Sequence, residues 1–213
     1  MKIYLFIIFS MMSIPIYSQE YIVTPQTITG NFRAEGKTRD QIFNLITDWI
    51  IENYGSGRDA VRLYDNRNYQ IILGGINKSL CKNPASVAYP DNIFIPYYIS
   101  VLCMHTMEFR IKDGSYSITY TLGDVNPPGL VKVTDRRFVN AIRLDTIFPT
   151  DVETYNKAVN TNLKAGLMGK YRRELILAGS IPMFKELRSD IIHDVKSLMV
   201  SVSNTVNKSS SAR

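Results

Sequence analysis

The chain has 213 residues, of which 45% are hydrophobic and 21% are charged, and this balance is typical of a folded globular protein. It excludes low-complexity disorder as the main character of the chain. The length fits one domain with appendages or two small domains, and the formal net charge of +6 indicates a mildly basic surface.

The N-terminal segment has the pattern of an export signal. Lys2 precedes an apolar run, and the small residue Ser18 follows it. The run is about as long as the apolar region of a signal peptide and is short for a transmembrane helix. We therefore expect residues 1–18 to be a signal peptide that is cleaved near Ser18, leaving Gln19 as the first residue of an exported chain. Export places the chain in the periplasm, the cell envelope or the exterior, so we expect no nucleic-acid partner.

After a short lead-in over residues 19–26, the sequence predicts a strand and then a helix. Residues 27–36 alternate in the manner of a strand. Thr38 and Gln41 have the spacing of a capping box, in which each side chain accepts a hydrogen bond from a free backbone N–H at the helix start. The apolar residues that follow recur at helical spacing and predict one buried stripe. They are Ile42, Phe43, Ile46, Trp49 and Ile50.

Two shorter strands, “AVRLY” and “YQIILGG”, are predicted next, with a turn over residues 65–68 between them. Gly74 and Gly75 lack the pattern of a phosphate-binding loop, and we interpret them as a strand end or a bulge. Residues 77–94 contain prolines and many polar side chains, which predicts a loop. No later run approaches ~20 apolar residues, so we expect no transmembrane span.

A long β-hairpin is predicted after this loop. The odd-numbered positions of residues 95–111 are mostly apolar and share one face, because successive strand side chains point to opposite faces. Asp113 and Gly114 are a strong signal for a two-residue turn. With this turn, the apolar odd-numbered residues before it pair with apolar even-numbered residues after it. The predicted pairs are Lys112–Ser115, Ile111–Tyr116, Phe109–Ile118, Met107–Tyr120 and His105–Leu122.

Cys103 and His105 fall on the core-facing row of this hairpin. Their side chains share a face about 6–7 Å apart along the strand, and no nearby glycine turn or helix start would activate the thiol. We interpret both as core residues and predict no catalytic, cofactor-binding or metal-binding residues. Cys81 and Cys103 could form a disulfide in an exported chain or remain separate thiols, and the sequence leaves both possibilities open.

The opposite face of the same strand is apolar near its start. Tyr98, Leu102 and Met104 lie there, whereas the half near the turn is polar. A strand that is apolar on both faces needs a cover on each. The C-terminal region, a partner or an apolar ligand could provide the second cover, so these three residues are a candidate interaction patch.

The remainder is predicted to be helical after an irregular connection over residues 124–149. We expect a helical hairpin over residues 150–206, with Thr150 and Glu153 as a second capping box, and a disordered tail over residues 207–213. The second helix should dock its apolar stripe on the protein itself, partly on the outer face near Tyr98. That stripe comprises Phe184, Leu187, Ile191, Val195 and Leu198.

Three stretches resemble a bacterial domain of unknown function with a TATA-binding-protein-like (TBP-like) fold, which is common in exported proteins of Bacteroidetes. They are “GNFRAEGKTRDQIFNLITDWIIENYG”, “VRLYDNRNYQIILGG” and “MEFRIKDGSYSITYTLGDV”, within residues 27–123. The resemblance implies an α+β fold: a curved antiparallel sheet with helices packed on one face, here with the C-terminal helical hairpin added. That family has no established activity, so no catalytic residues carry over from it.

These observations favour an exported, non-catalytic binding module that acts on an unknown protein or envelope component. Two alternatives remain open at the level of sequence. One is a periplasmic or extracellular enzyme that uses Cys103 and His105. The other is a carrier of a small apolar ligand beneath the patch that begins at Tyr98.

Overall fold

The computed structural model describes residues 20–55, 60–126, 142–165 and 168–208. The expected signal peptide, the residue Gln19 and the last five residues of the tail lie outside the described residues. The same is true of residues 127–141, which make up most of the expected irregular connection.

Six strands form one antiparallel sheet in the order β1-β2-β6-β5-β4-β3. The predicted lead-in contains β1, a short edge strand that pairs with β2 and that the sequence pattern did not reveal. The strands are β1 (Tyr21–Val23), β2 (Thr27–Arg33), β3 (Val61–Asp65), β4 (Gln70–Lys82), β5 (Tyr98–Lys112) and β6 (Ser115–Asn126).

The predicted hairpin register is confirmed in the β5–β6 pair. Every predicted partner is observed, from Lys112 opposite Ser115 to His105 opposite Leu122. The turn requires a positive φ at Gly114, which is 69° and which glycine adopts without a steric cost. The odd positions of β5 from Val101 to Ile111 are buried, so this inner face of the sheet carries the core.

Two strand boundaries differ from the prediction. β4 does not end at Gly75 but continues to Lys82, paired with β5 throughout. A Cβ atom at Gly75 would lie 2.8 Å from Cε1 of His105, so glycine is needed here for close packing within a continuous strand. β5 begins only at Tyr98, and therefore Ile95 lies outside the strand.

Five helices are found in the described residues. In the first, the predicted capping box is confirmed: the Thr38 N–H donates to Gln41 Oε1 at 2.9 Å, and the Gln41 N–H donates to Thr38 Oγ1 at 3.3 Å. Trp49 is buried as predicted, and its Nε1–H donates to Ser201 Oγ at 3.1 Å. The helices are α1 (Arg39–Tyr54), α2 (Pro84–Ala88), α3 (Pro149–Ala165), α4 (Lys170–Ala178) and α5 (Ser180–Lys208).

The C-terminal region has three helices, because the first of the two expected helices is divided. Gly169 is the N-cap of α4, consistent with the low helix propensity of glycine. Thr150 was wrongly predicted as an N-cap: α3 already includes Pro149, which suits the first helical turn because its ring fixes φ and it has no N–H to leave unpaired. α5 continues to Lys208, two residues beyond the predicted end at position 206.

The long helix α5 packs on the inner face, together with α1. Its stripe is buried as predicted at Phe184, Leu187, Ile191 and Val195, whereas Leu198 is only partly buried. A Cβ atom at Gly30 of β2 would lie 3.2 Å from Sδ of Met199, which places α5 over that strand. The expected contact with the outer face is therefore wrong.

Carboxylates of α5 also bind the exposed edge of β4. β3 pairs with β4 only between Gln70 and Leu73, and no other strand of the described residues pairs with the rest of that edge. The N–H of Leu80 donates to Asp190 Oδ2 and the N–H of Lys82 donates to Glu186 Oε2, both at 2.8 Å. These bonds hold the helix to the inner face and the edge. The antiparallel sheet with its helices confirms the expected α+β class.

Candidate functional site

The structure places Cys103 and His105 on the buried inner row, as the alternation predicted. Cys103 faces Asn77 across the strand pair, and His105 faces Gly75. The His105 ring stacks on Tyr120 with ring centroids 5.0 Å apart and an interplanar angle of 22°. Both side chains are less than 10% exposed, so neither reaches a cleft where a substrate could approach.

The electrostatics of this row oppose nucleophilic chemistry. Burial raises the pKa of the Cys103 thiol to about 12, so the thiol stays protonated near neutral pH. Burial lowers the pKa of His105 below 6.5, which keeps the imidazole neutral. A protonated thiol beside a neutral imidazole is an ordinary core pair, because the reactive species of cysteine is the thiolate.

The two cysteines are separate buried thiols. Cys103 is paired with Asn77, which lies four residues before Cys81 on β4. That offset is roughly 13 Å along a regular strand, whereas disulfide-bonded residues have Cα atoms about 4.4–6.8 Å apart. The register therefore excludes a disulfide between Cys81 and Cys103, a pairing that the sequence had left open. Burial also raises the pKa of Cys81 to about 12.

The candidate patch lies on the outer face of the sheet, and the structure extends it onto β4. The register sets Ile76 opposite Met104, Lys78 opposite Leu102, and Lys82 opposite Tyr98. The five large apolar side chains of this surface are between 43% and 63% exposed. We call them the outer apolar face: Ile76, Leu80, Tyr98, Leu102 and Met104.

Basic side chains lie within and beside the outer apolar face. Lys78 lies between Ile76 and Leu80 on the same side of β4 and is exposed. The Arg62 guanidinium lies against Gly74, where a Cβ atom would be 2.0 Å from its Nε. The surface therefore combines large apolar side chains with basic ones, and its tyrosine and methionine are residue types that are enriched at protein-interaction surfaces.

A second exposed apolar feature lies in the loop between α2 and β5. We call residues 89–97 the protruding loop. Ile93 and Phe94 are 88% and 87% exposed, the highest values among the large apolar side chains of the described residues. With Arg172 of α4, they help to line an open cleft of about 480 Å³. Ile93 and Phe94 fall in the predicted loop over residues 77–94, but no pattern in that loop indicated that these two side chains are exposed.

Hydrogen bonds hold the protruding loop in one conformation. The Asn92 side chain accepts from the N–H of Phe94 at 3.0 Å, and the N–H of Ile95 donates to the Asn92 carbonyl at 3.0 Å. The buried Asn83 donates from its side chain to the carbonyl of Pro96 at 2.9 Å and from its backbone to that of Tyr97 at 2.8 Å. The run Asp91–Asn92 before two apolar residues is a sequence signal that could have revealed this turn.

None of the helices within the described ranges is both long and apolar enough to cross a membrane. The same ranges contain no group of three or more His, Cys, Asp or Glu residues that could hold a metal ion.

Comparisons with known proteins give two similar structures from Bacteroidetes. One is a DUF4468 family protein from Bacteroides ovatus ATCC 8483, with 14% identity and a TM-score of 0.35 over 46% of this chain. The chain spans 53% of the length of that structure. The other is a TBP-like protein from Parabacteroides distasonis ATCC 8503, with 15% identity and a TM-score of 0.42 over 84% of this chain and 91% of that chain.

These two structures are of the kinds that the sequence resemblance named, namely a domain of unknown function and a TBP-like protein. No family model matches the chain, and no curated protein matches it.

Proposed function

We propose that this chain is an exported, non-catalytic binding module of the bacterial cell envelope. The outer apolar face is the surface through which it binds a protein or another envelope component. The observation that carries the proposal is the exposure of five large apolar side chains on one sheet face, opposite the face that forms the core. Contiguous exposed apolar surface is uncommon on soluble proteins and marks interaction sites.

The rigidity of this surface favours binding. All five of its residues lie in the continuous β4–β5 ladder, so backbone hydrogen bonds fix their positions before a partner arrives. A surface that is already ordered loses little conformational entropy on binding. Tyr98 and Met104 add large contact areas, and residues of this kind are enriched at the centre of interfaces.

The alternative of an enzyme that uses Cys103 and His105 has weaker support. Both side chains are buried, and burial raises the thiol pKa and lowers the imidazole pKa. The alternative of a small-ligand carrier would need an enclosed apolar cavity. Leu102 and Met104 instead lie on an open sheet face, where they are more than 40% exposed.

The export part of the proposal rests on Lys2, the apolar run and Ser18. We expect protein recovered from the native envelope to have an intact mass that corresponds to a start near Gln19. Envelope protein that still carries Met1 would contradict cleavage, while leaving the binding surface untouched.

Site-specific photo-crosslinking in cells tests the binding surface. A photoreactive amino acid at Met104 should give a discrete adduct of higher mass. Arg110 is the matched control, because it lies on the same strand and the same face but in the polar half next to the turn. We expect no such adduct at Arg110. Equal adducts at both positions, or none at Met104, would count against the outer apolar face.

A double variant, Leu102→Ser with Met104→Ser, provides the complementary test. Because both side chains are exposed, the melting temperature should change little. The crosslinked component should no longer co-purify with the double variant. If thermal stability collapses instead, the outer apolar face belongs to the folded core and the proposal fails.

A further inference from the structure

We propose that the protruding loop inserts Ile93 and Phe94 into the interfacial region of an anionic lipid bilayer. This inference goes beyond the outer apolar face, since it concerns another surface and another class of ligand. It rests on the exposure of the two side chains, the hydrogen bonds that hold them outward, and the basic and aromatic residues beside them.

The exposure of Ile93 and Phe94 is imposed by the structure of the loop. The Asn92 side chain accepts a hydrogen bond from the N–H of Phe94, and the buried Asn83 donates to the carbonyls of Pro96 and Tyr97. A flexible loop could fold two such side chains against the body of the protein. In this loop, hydrogen bonds instead hold both side chains in water. Exposing apolar surface to water is unfavourable, and transfer of the side chains into an apolar medium would remove that cost.

The residues around the two side chains have the composition of a membrane–water interface. Arg172 lines the same cleft as Ile93 and Phe94, and its guanidinium stacks 4.6 Å from the centroid of the Tyr89 ring. It has no salt bridge among the described residues, so its charge is available to a phosphate. Tyr97 belongs to the same loop and Tyr171 precedes Arg172 in α4, and both side chains are more than half exposed. Tyrosine is enriched at the level of the lipid headgroups, with basic residues beside it.

The nearby charges favour an anionic surface. Lys170 and Arg172 stand in the first turn of α4, and Lys170 reaches Glu174 only at 3.9 Å on an exposed surface, where such a pair is weak. Asp91 is the acid that lines the cleft. The basic residues therefore provide attraction toward anionic lipid that a zwitterionic surface would not give.

A fluid bilayer fits this shape better than a protein pocket does. Ile93 and Phe94 are adjacent and almost fully exposed, so a protein partner would need a deep cavity to enclose both. Lipid chains surround a protruding side chain without prior complementarity. The apolar depth of interfacial insertion, about 5–10 Å, is also of the order of one large side chain.

Vesicle co-sedimentation provides the test, using the full protein purified after export. The probes are vesicles of phosphatidylcholine alone and vesicles of equimolar phosphatidylcholine and phosphatidylglycerol. We expect binding to the anionic vesicles and at least about tenfold weaker partitioning for Ile93→Ser with Phe94→Ser. Arg172→Gln should weaken binding to the anionic vesicles alone.

A matched double variant controls for the loss of apolar surface as such. Ile22→Ser with Ile51→Ser removes two side chains that are each about half exposed and lie on β1 and α1. This control should bind vesicles like the unmodified protein. A direct readout of insertion comes from Phe94→Trp, because Trp49 is buried and its emission should stay constant. The emission of the new tryptophan should shift to shorter wavelength only with anionic vesicles.

Several results would overturn the proposal. They are absence of vesicle binding, equal binding by the Ile93→Ser/Phe94→Ser variant, equal binding to both lipid compositions, and no emission shift for Phe94→Trp. The Leu102→Ser/Met104→Ser variant separates this inference from the proposed function, because it should lose its protein partner and keep vesicle binding. Loss of a protein partner by the loop variant without vesicle binding would assign the loop to a protein interface instead.

Discussion

Replacing Ile191 with alanine tests how the longest helix is attached to the sheet. Ile191 is fully buried on the stripe that α5 turns toward the inner face. The substitution removes three carbon atoms, each with a transfer free energy of ~0.8 kcal/mol, so ~2.4 kcal/mol is lost before the cavity is counted. With the cavity, we expect the free energy of unfolding to fall by about 3–4 kcal/mol.

Urea denaturation followed by circular dichroism measures this loss. For a protein of this size, each kcal/mol corresponds to about 2–4 °C in melting temperature, so Ile191→Ala should melt about 6–16 °C lower. Ile181→Ala is the matched control on the same helix, because Ile181 is 43% exposed. It should cost less than ~1 kcal/mol.

Ile191→Asp sharpens the test, since an unpaired carboxylate in this position should prevent stable folding. The alternative is that the apolar stripe of α5 packs against a second copy of the chain or a partner protein, and not against the sheet. A folded Ile191→Asp monomer with an unchanged urea midpoint, having lost only self-association, would refute the packing described here. Analytical ultracentrifugation would show that outcome directly.

Three further predictions concern the buried row and the strand edge. Burial lowers the pKa of His105, so just below pH 6.5 the unfolded chain binds a proton that the folded chain does not. The free energy of unfolding should therefore fall as the pH drops from 6.5 toward the pKa of the folded state. His105→Gln should remove this pH dependence, as measured by urea titrations at several pH values. Cys81 and Cys103, with pKa values raised to about 12, should resist iodoacetamide at pH ~8 until the protein unfolds, and stoichiometric labelling of native protein would contradict their burial. Asp190→Ala should accelerate amide exchange at Leu80 but leave Lys82 protected by Glu186, and equal rates at both would contradict the separate bonds.

The parts of the fold that were predicted correctly depend on local signals that agree with one another. The turn at Asp113–Gly114 and the alternation of β5 each define the same register, and a slip of one residue would turn Phe109 out of the core. Thr38 and Gln41 likewise mark a helix start a few residues before its apolar stripe. Such features were predictable because the residues that decide them are close in sequence.

The continuation of β4 was not predictable in this way. Gly74 and Gly75 disfavour a strand, and the polar residues after Ile76 lack a clear alternation. Pairing with β5 outweighs these local preferences, and the reason for a glycine at position 75 is the ring of His105, thirty residues later. Tertiary contacts of this kind override propensity and leave no local trace.

The candidate site was found only in part for the same reason. Tyr98, Leu102 and Met104 were identified because β5 is apolar on both faces. Ile76 and Leu80 were missed, since Ile76 follows the predicted end of the strand at Gly75 and Leu80 lies in the segment predicted as a loop. A site composed of two strands can be predicted only as far as both strands can be.

The position of α5 explains why the outer apolar face stays open. Asp190 and Glu186 bind the edge of β4, and the apolar stripe of the helix then turns toward the inner face. A helix bound in this way cannot also reach Leu102 and Met104 on the opposite side of the sheet. Within the described residues no element covers that side, so the exposure of the patch follows from how the core is closed. A contact that buries Leu102 and Met104 must therefore be made by something other than α5.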